Sequence, residues 1–168
     1  MKRRLALLKL SAAGLALAVL GGCGFELRKD PELHFKTIAL QGFNPNSGLA
    51  EELKRQLARS TAVLVQDVAK ADVVLEARRD TQDKSVVVTT SAGQVREWQL
   101  HLQLDYIVLT PAGDVVLPLT ELRMARELTY VESQAVAKEQ EEAALYRAMQ
   151  YDAAAQLMRR LAAVHLPG

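Results

Sequence analysis

The stretch EWQLHLQLDYIVL, residues 97–109, alternates between two kinds of side chain. One face of the extended chain would carry Trp98, Leu100, Leu102, Leu104, Tyr106 and Val108, and the other Glu97, Gln99, His101, Gln103 and Asp105. A period of two with one apolar and one polar face is typical of a strand in a sheet that is covered on one side only. The stretch therefore predicts a largely antiparallel sheet with a core on one face and a broad polar surface on the other.

The flanking segments predict the partner strands. The turn PAGD, residues 111–114, is followed by a second alternating segment that carries Leu122, Met124, Leu128 and Tyr130 on one face. The loop SAGQ, residues 91–94, is preceded by residues 73–88, whose two valine-rich ends enclose a polar middle. A bend or bulge in that middle would place both apolar ends on one face. Pro118 has no N–H to donate, so we expect it at a sheet edge or a bulge.

Two shorter segments lie nearer the start of the chain. FKTIAL, residues 35–40, predicts a first strand, because the turn residues of QGFNPN follow it directly. TAVLVQ, residues 61–66, is a candidate for a further short strand. The predicted sheet therefore has approximately four strands.

Two segments have helical periodicity. Leu49, Leu53 and Leu57 are four residues apart, with Ser47 or Asn46 as the cap, and predict a helix that ends near Ser60. A longer closing helix is predicted by a second four-residue series, which comprises Leu145, Met149, Ala153, Leu157 and Leu161. The predicted fold class is α+β: a two-layer sandwich with two main helices packed on one face of the sheet.

The first 22 residues differ from the rest of the chain. Basic residues 2–4 precede an apolar run, residues 5–20, which is shorter than the ~20 residues that a bilayer span needs. Gly21, Gly22 and Cys23 follow it, and this order resembles a bacterial lipoprotein signal, in which the cysteine sulfur receives a diacylglyceryl group. We therefore expect a signal peptide at 1–22, a lipidated tether at 23–34 and a single domain at 35–168. The alternatives are a short membrane anchor and a buried thiol.

Composition limits the possible functions. Cys23 is the only cysteine, so no internal disulfide forms. Removing residues 1–22 takes away four basic residues and no acidic ones, so the 21 basic residues fall to 17 against 20 acidic and the net charge becomes −3. A chain without a basic excess gives no indication of nucleic-acid binding.

The sequence also lacks the patterns of common active sites. His34, His101 and His165 are scattered without metal-ligand spacing, and no glycine-rich phosphate loop or Gly-x-Ser-x-Gly motif is present. The acidic cluster at 139–142 is typical of a solvated helix start that complements the helix dipole. We expect a binding or assembly protein, without a cofactor and not an enzyme.

Several segments, in order along the chain, resemble the LPS-assembly lipoprotein LptE family. These are CGFELR at 23–28, NPNSGL at 44–49, GQVREWQLHLQLDYIVLTPAGD at 93–114, AVAKEQEEAAL at 135–145 and MQYDAAAQLMRRL at 149–161. The resemblance implies a non-catalytic outer-membrane lipoprotein, anchored by acyl chains at Cys23 on the periplasmic side. Such a protein plugs the LptD β-barrel in a one-to-one complex, helps to assemble it and assists lipopolysaccharide delivery to the outer leaflet. Glycine rather than aspartate after Cys23 resembles an outer-membrane sorting signal.

The same resemblance implies two lipopolysaccharide-binding positions. Lys138 matches the family's basic residue before the last helix. At the central loop this chain has Ser91 where the family has a basic residue, with Arg96 nearby, so Lys138 and Arg96 are the candidates. The alternative for Lys138 is a solvated lysine. For the whole protein, the alternative is a stand-alone periplasmic lipid-anchored chaperone or ligand carrier without a barrel partner.

Overall fold

The computed structural model describes residues 32–166. The predicted signal peptide, Cys23 and most of the tether lie outside the described residues. Five strands form one mixed sheet: β1 (Thr37–Gln41), β2 (Val63–Leu64), β3 (Val73–Thr89), β4 (Val95–Leu109) and β5 (Val115–Thr129). Their order is β2-β1-β3-β4-β5; β1 runs parallel to β2 and β3, while β3, β4 and β5 form antiparallel pairs. The predicted α+β class is confirmed.

Two helices cover one face of this sheet: α1 (Gly48–Leu57) and α2 (Ala135–Ala162). Their apolar side chains join those of the strands in one core, in which Leu53, Leu104 and Leu157 are fully buried. The Ser47 hydroxyl caps α1 by accepting from the amide of Ala50 at 3.1 Å, as its position predicts. No helix within residues 32–166 is long and apolar enough to cross a bilayer.

The alternation that predicted β4 is confirmed by burial. Leu100, Leu104, Tyr106 and Val108 are fully buried beneath the helices, whereas the intervening polar residues are half-buried on the open face. Trp98 belongs to the same apolar face but is only half-buried, because it lies beside a cleft described below.

The sheet has five strands, so the expected number of approximately four is one too low. The fifth strand, β2, lies within residues 61–66, the candidate for a further short strand, and contributes only the pairs Thr37↔Val63 and Ile38↔Leu64. Helix α1 ends at Leu57 instead of near Ser60, because tighter turns follow and the Ser60 hydroxyl donates to the Leu57 carbonyl at 2.8 Å.

Bulges occur where the sequence predicted them. The β3–β4 register shifts between Ala77 and Arg79, at the start of the polar middle of β3. Pro118 lies in the edge strand β5, within a second register shift opposite Tyr106 and Val108. Both the expected bulge in β3 and the expected place of Pro118 are therefore confirmed. Beyond the first bulge β3 continues to Thr89, and Val86, Val87 and Val88 are about half exposed.

Candidate functional site

A cleft of about 420 Å³ opens between the far end of the β3–β4 hairpin and the start of α2. Its lining comprises Lys84, Gln94, Val95, Arg96, Trp98, Leu128, Tyr130, Glu132, Lys138, Glu139 and Glu142. Three of these residues are basic and three are acidic, and the apolar side chains among them come from β4 and β5. The cleft therefore combines an apolar wall with charges of both signs.

The hairpin and the end of β5 build this cleft together. Trp98 pairs with Leu128 across β4 and β5, and the amide of Tyr130 donates to the Arg96 carbonyl at 2.8 Å. A short 3-10 turn, Glu132–Gln134, then leads directly into α2. Arg96 and Trp98 both line the cleft, although the β3–β4 register shifts beside Arg96, between Val88 and Thr89. Lys138, in the first turns of α2, comes back over the cleft.

The two basic residues named from the sequence both line the cleft, but their surroundings differ. The Lys138 side chain is only 13% exposed, and its ammonium donates to Glu141 at 2.8 Å and to the Thr129 hydroxyl at 3.2 Å. The Arg96 side chain is exposed and makes no ion pair with any residue in 32–166. Ser91 lies in the exposed hairpin loop and does not contribute to the lining.

A third cation, Lys84, lines the cleft and is not among the site residues predicted from the sequence. Its ammonium pairs with the Glu142 carboxylate at 2.6 Å and lies 5.1 Å from the centre of the Trp98 ring. A cation within about 6 Å of a tryptophan ring is attracted to the face of the ring. Lys84 lies in the polar middle of β3, after the register shift between Ala77 and Arg79 that changes which residues face the helices, so the sequence pattern gave no signal for its position.

Polar contacts join α2 to β3 next to this cation. The hydroxyl of Tyr146 donates to the carbonyl of Asp83 at 2.6 Å, and Gln150 donates to the Gln82 side chain at 3.0 Å. The pKa of Tyr146 is raised to about 12, mainly by burial and to a smaller extent by the nearby Glu142 and Asp83. The first half of α2 therefore rests on β3 through polar groups.

The open face of the sheet carries polar side chains in rows across β3, β4 and β5. The directly opposed triplets are Arg79–Asp105–Glu121, Thr81–Gln103–Arg123 and Ser85–Gln99–Glu127. Within these rows Arg79 approaches Asp105 to 3.4 Å, and Gln103 donates to Asp105 at 3.1 Å. This surface presents donors and acceptors over most of the sheet's length.

The histidines are arranged differently from what their sequence positions suggest. His34 and His165 stack with ring centres 4.6 Å apart, although the sequence separates them widely. His101, on the open face, lies 3.0 Å from the Ser85 hydroxyl. Within residues 32–166 no group of three His, Cys, Asp or Glu side chains is arranged to hold a metal ion.

Comparison with known proteins connects this fold to a family. The family model "LptE: Lipopolysaccharide-assembly" matches residues 35–161. The LPS-assembly lipoprotein LptE of Photorhabdus laumondii is 32% identical over 155 residues, which cover 90% of this chain and 84% of the relative. The protein of the same name from Yersinia pestis is 31% identical, covering 90% and 74%.

A solved structure agrees with the sequence relatives. The solution structure of uncharacterized lipoprotein B from Nitrosomonas europaea superimposes with a TM-score of 0.71 at 27% identity. The match covers 83% of this chain and 91% of that one. The chain therefore belongs to the LptE lipopolysaccharide-assembly family.

Proposed function

We propose that this protein is an outer-membrane lipoprotein that plugs the LptD β-barrel, helps to assemble it and assists delivery of lipopolysaccharide to the outer leaflet. Family membership supports the coarser part of this function, a role in lipopolysaccharide transport and outer-membrane assembly by a lipid-anchored protein of the cell envelope. Proteins of this family are non-catalytic, which confirms the expectation that the chain is not an enzyme.

The observation that supports the plug is the polar open face of the sheet. The rows across β3, β4 and β5 present carboxylates, amides, hydroxyls and guanidinium groups on a surface that neither α1 nor α2 covers. Only at the β1 end of this face does a short 3-10 helix, Val68–Lys70, pack against Ala39 and Val74. The lumen of a large membrane barrel is polar, so a plug needs a face that exchanges hydrogen bonds with water for hydrogen bonds with barrel side chains. An apolar face would leave those lumen groups without partners.

The anchor in this proposal is Cys23, acylated at the start of the mature chain on the periplasmic side of the outer membrane. One acyl chain gives only marginal membrane binding, whereas several chains, at ~0.8 kcal/mol per buried CH₂, anchor a protein stably. A Cys23→Ala variant should lose acylation and signal cleavage together. A processed, membrane-bound Cys23→Ala protein would contradict the anchor.

Copurification from detergent-solubilised outer membranes tests the barrel partnership. We expect one large β-barrel per copy of this protein, in a complex that survives gel filtration. The competing function is the stand-alone lipid-anchored chaperone or ligand carrier, and it predicts a solitary monomer under the same conditions. A variant with Arg79 and Arg123 of the open face changed to Glu should no longer copurify with the barrel. Arg59→Glu combined with Arg159→Glu, at exposed positions after α1 and near the end of α2, is the control of equal charge.

Lipopolysaccharide binding is assigned in this proposal to Arg96 and Lys138. Phosphates and carboxylates of the ligand need cations with hydrogen-bond donors, and both residues line the same cleft. Changing both residues to Glu should weaken lipopolysaccharide binding by the mature protein. The Arg59→Glu, Arg159→Glu double variant reverses two charges outside the cleft and should bind normally. Equal binding by the cleft variant and the wild type would overturn the assignment.

A further inference from the structure

The Lys84–Glu142 ion pair lies between two cavities. One is the cleft described above, and the other, of about 410 Å³, continues along α2 past Tyr146 and Gln150. Lys84, Glu139 and Glu142 line both cavities. The ion pair therefore bridges from β3 to α2 at the boundary between two cavities that would otherwise be one groove.

The two partners of Lys84 hold it in different ways. Glu142 neutralises its charge at 2.6 Å, whereas the Trp98 ring lies under it without neutralising it. The Lys84 side chain is 40% exposed and that of Glu142 is 23% exposed, so solvent weakens their attraction. Breaking the Lys84–Glu142 ion pair therefore costs little free energy, while contact with the Trp98 ring keeps the Lys84 ammonium in the cleft.

Two of the three cations of the cleft are paired within the protein. Lys138 is paired with Glu141 and Lys84 with Glu142, which leaves Arg96 as the cation of the lining without an ion pair in residues 32–166. A phosphate group carries more negative charge than a carboxylate and offers three acceptor oxygens. It is therefore a stronger partner for Lys84 than Glu142.

We propose that Glu142 is an internal counter-ion, which occupies Lys84 until the phosphate of an amphiphilic ligand displaces it and joins the two cavities. Lys84 is then a phosphate-binding residue beside Arg96, and the apolar part of the ligand lies against Trp98 and Leu128. This inference rests on the proposed lipopolysaccharide binding. It adds a third cation and a competing carboxylate to that site.

The test uses the purified mature protein, in detergent, and titrates it with bisphosphorylated lipid A, monophosphorylated lipid A and inorganic phosphate. Trp98 is the only tryptophan of the chain, so its fluorescence reports on this cleft. Glu142→Gln should bind bisphosphorylated lipid A about three- to fivefold more tightly, the effect of removing a partly exposed competitor of up to ~1 kcal/mol. Lys84→Met keeps the aliphatic stem over Trp98 and should bind more weakly. In a protein that already carries Lys84→Met, Glu142→Gln should not increase the affinity for lipid A.

Glu121→Gln is the matched control, because it removes one carboxylate from an ion pair, with Arg123 at 2.6 Å, on the open face. It should leave lipid A affinity unchanged, and thermal unfolding checks that every variant is folded. An unchanged affinity in Glu142→Gln, while Arg96→Glu and Lys138→Glu weaken binding, overturns this inference alone. An equal gain in Glu121→Gln, or inorganic phosphate binding as tightly as lipid A, also overturns it. Absence of lipid A binding by every variant overturns both this inference and the proposed binding.

Discussion

Gly42 connects β1 to the loop before α1 beside the Ala77 carbonyl of β3, and replacing it with alanine should destabilise the fold strongly. Its φ of 74° lies in the left-handed region, where a side chain costs about 1–2 kcal/mol. An added Cβ would also lie 2.1 Å from the carbonyl oxygen of Ala77, which is backbone and cannot rotate away. Relieving such an overlap costs about 1–3 kcal/mol more, so we expect a total of about 3 kcal/mol.

Gly93 supplies the control that separates these two contributions. Its φ is 78°, but a Cβ there would meet no atom within 4 Å. In urea unfolding followed by Trp98 fluorescence, with a slope of about 2 kcal/mol per molar, Gly42→Ala should lower the midpoint by about 1.5 M and Gly93→Ala by about 0.5 M. Equal shifts in the two variants would refute the close approach between Gly42 and Ala77.

Three further outcomes are expected. Leu157→Ala removes a fully buried side chain of α2 and should cost about 2–5 kcal/mol in urea unfolding, whereas Tyr151→Ala, at a side chain 53% exposed, should cost less than about 0.5 kcal/mol. Because the folded pKa of Tyr146, about 12, exceeds that of an unfolded tyrosine, about 10, its stabilisation is complete below pH 10 and is lost as the pH rises towards 12. Circular dichroism between pH 9 and 12 should therefore show a smaller alkaline loss of stability in Tyr146→Phe than in the wild type. Ser47→Ala removes the cap of α1 and should cost about 1 kcal/mol, seen as a lower thermal midpoint, while an unchanged midpoint would show that the cap does not stabilise the fold.

The parts of the fold that could be predicted from the sequence are those determined by the local spacing of apolar and polar side chains. The alternation at residues 97–109 determines both faces of β4, and the four-residue spacing of leucines determines which side of α1 is buried. Strand β2 lies within the candidate segment 61–66, but its two residues carry no period, so neither its bounds nor its pairing with β1 could be predicted from the local pattern. The exposure of Val86–Val88 could not be predicted either, because a run of valines has the same sequence pattern on a covered face as beyond the end of the core.

The candidate site follows the same division. Arg96 and Lys138 were identified from the resemblance to the family. Lys84 could be identified only from the β3–β4 register, which pairs it with Leu100 and so turns it towards the helices. That register also explains why the cleft exists. Strands of 15 and 17 residues extend beyond the part of the core that α1 and the end of α2 fill. The first part and the middle of α2 therefore meet β3 through the polar side chains of Lys84 and Gln82. Polar contacts of this kind can exchange partners at small cost, whereas the buried leucines of the core cannot separate without losing several kcal/mol. The long hairpin therefore combines a stable core with a groove, at its far end, that the proposed ligand can open.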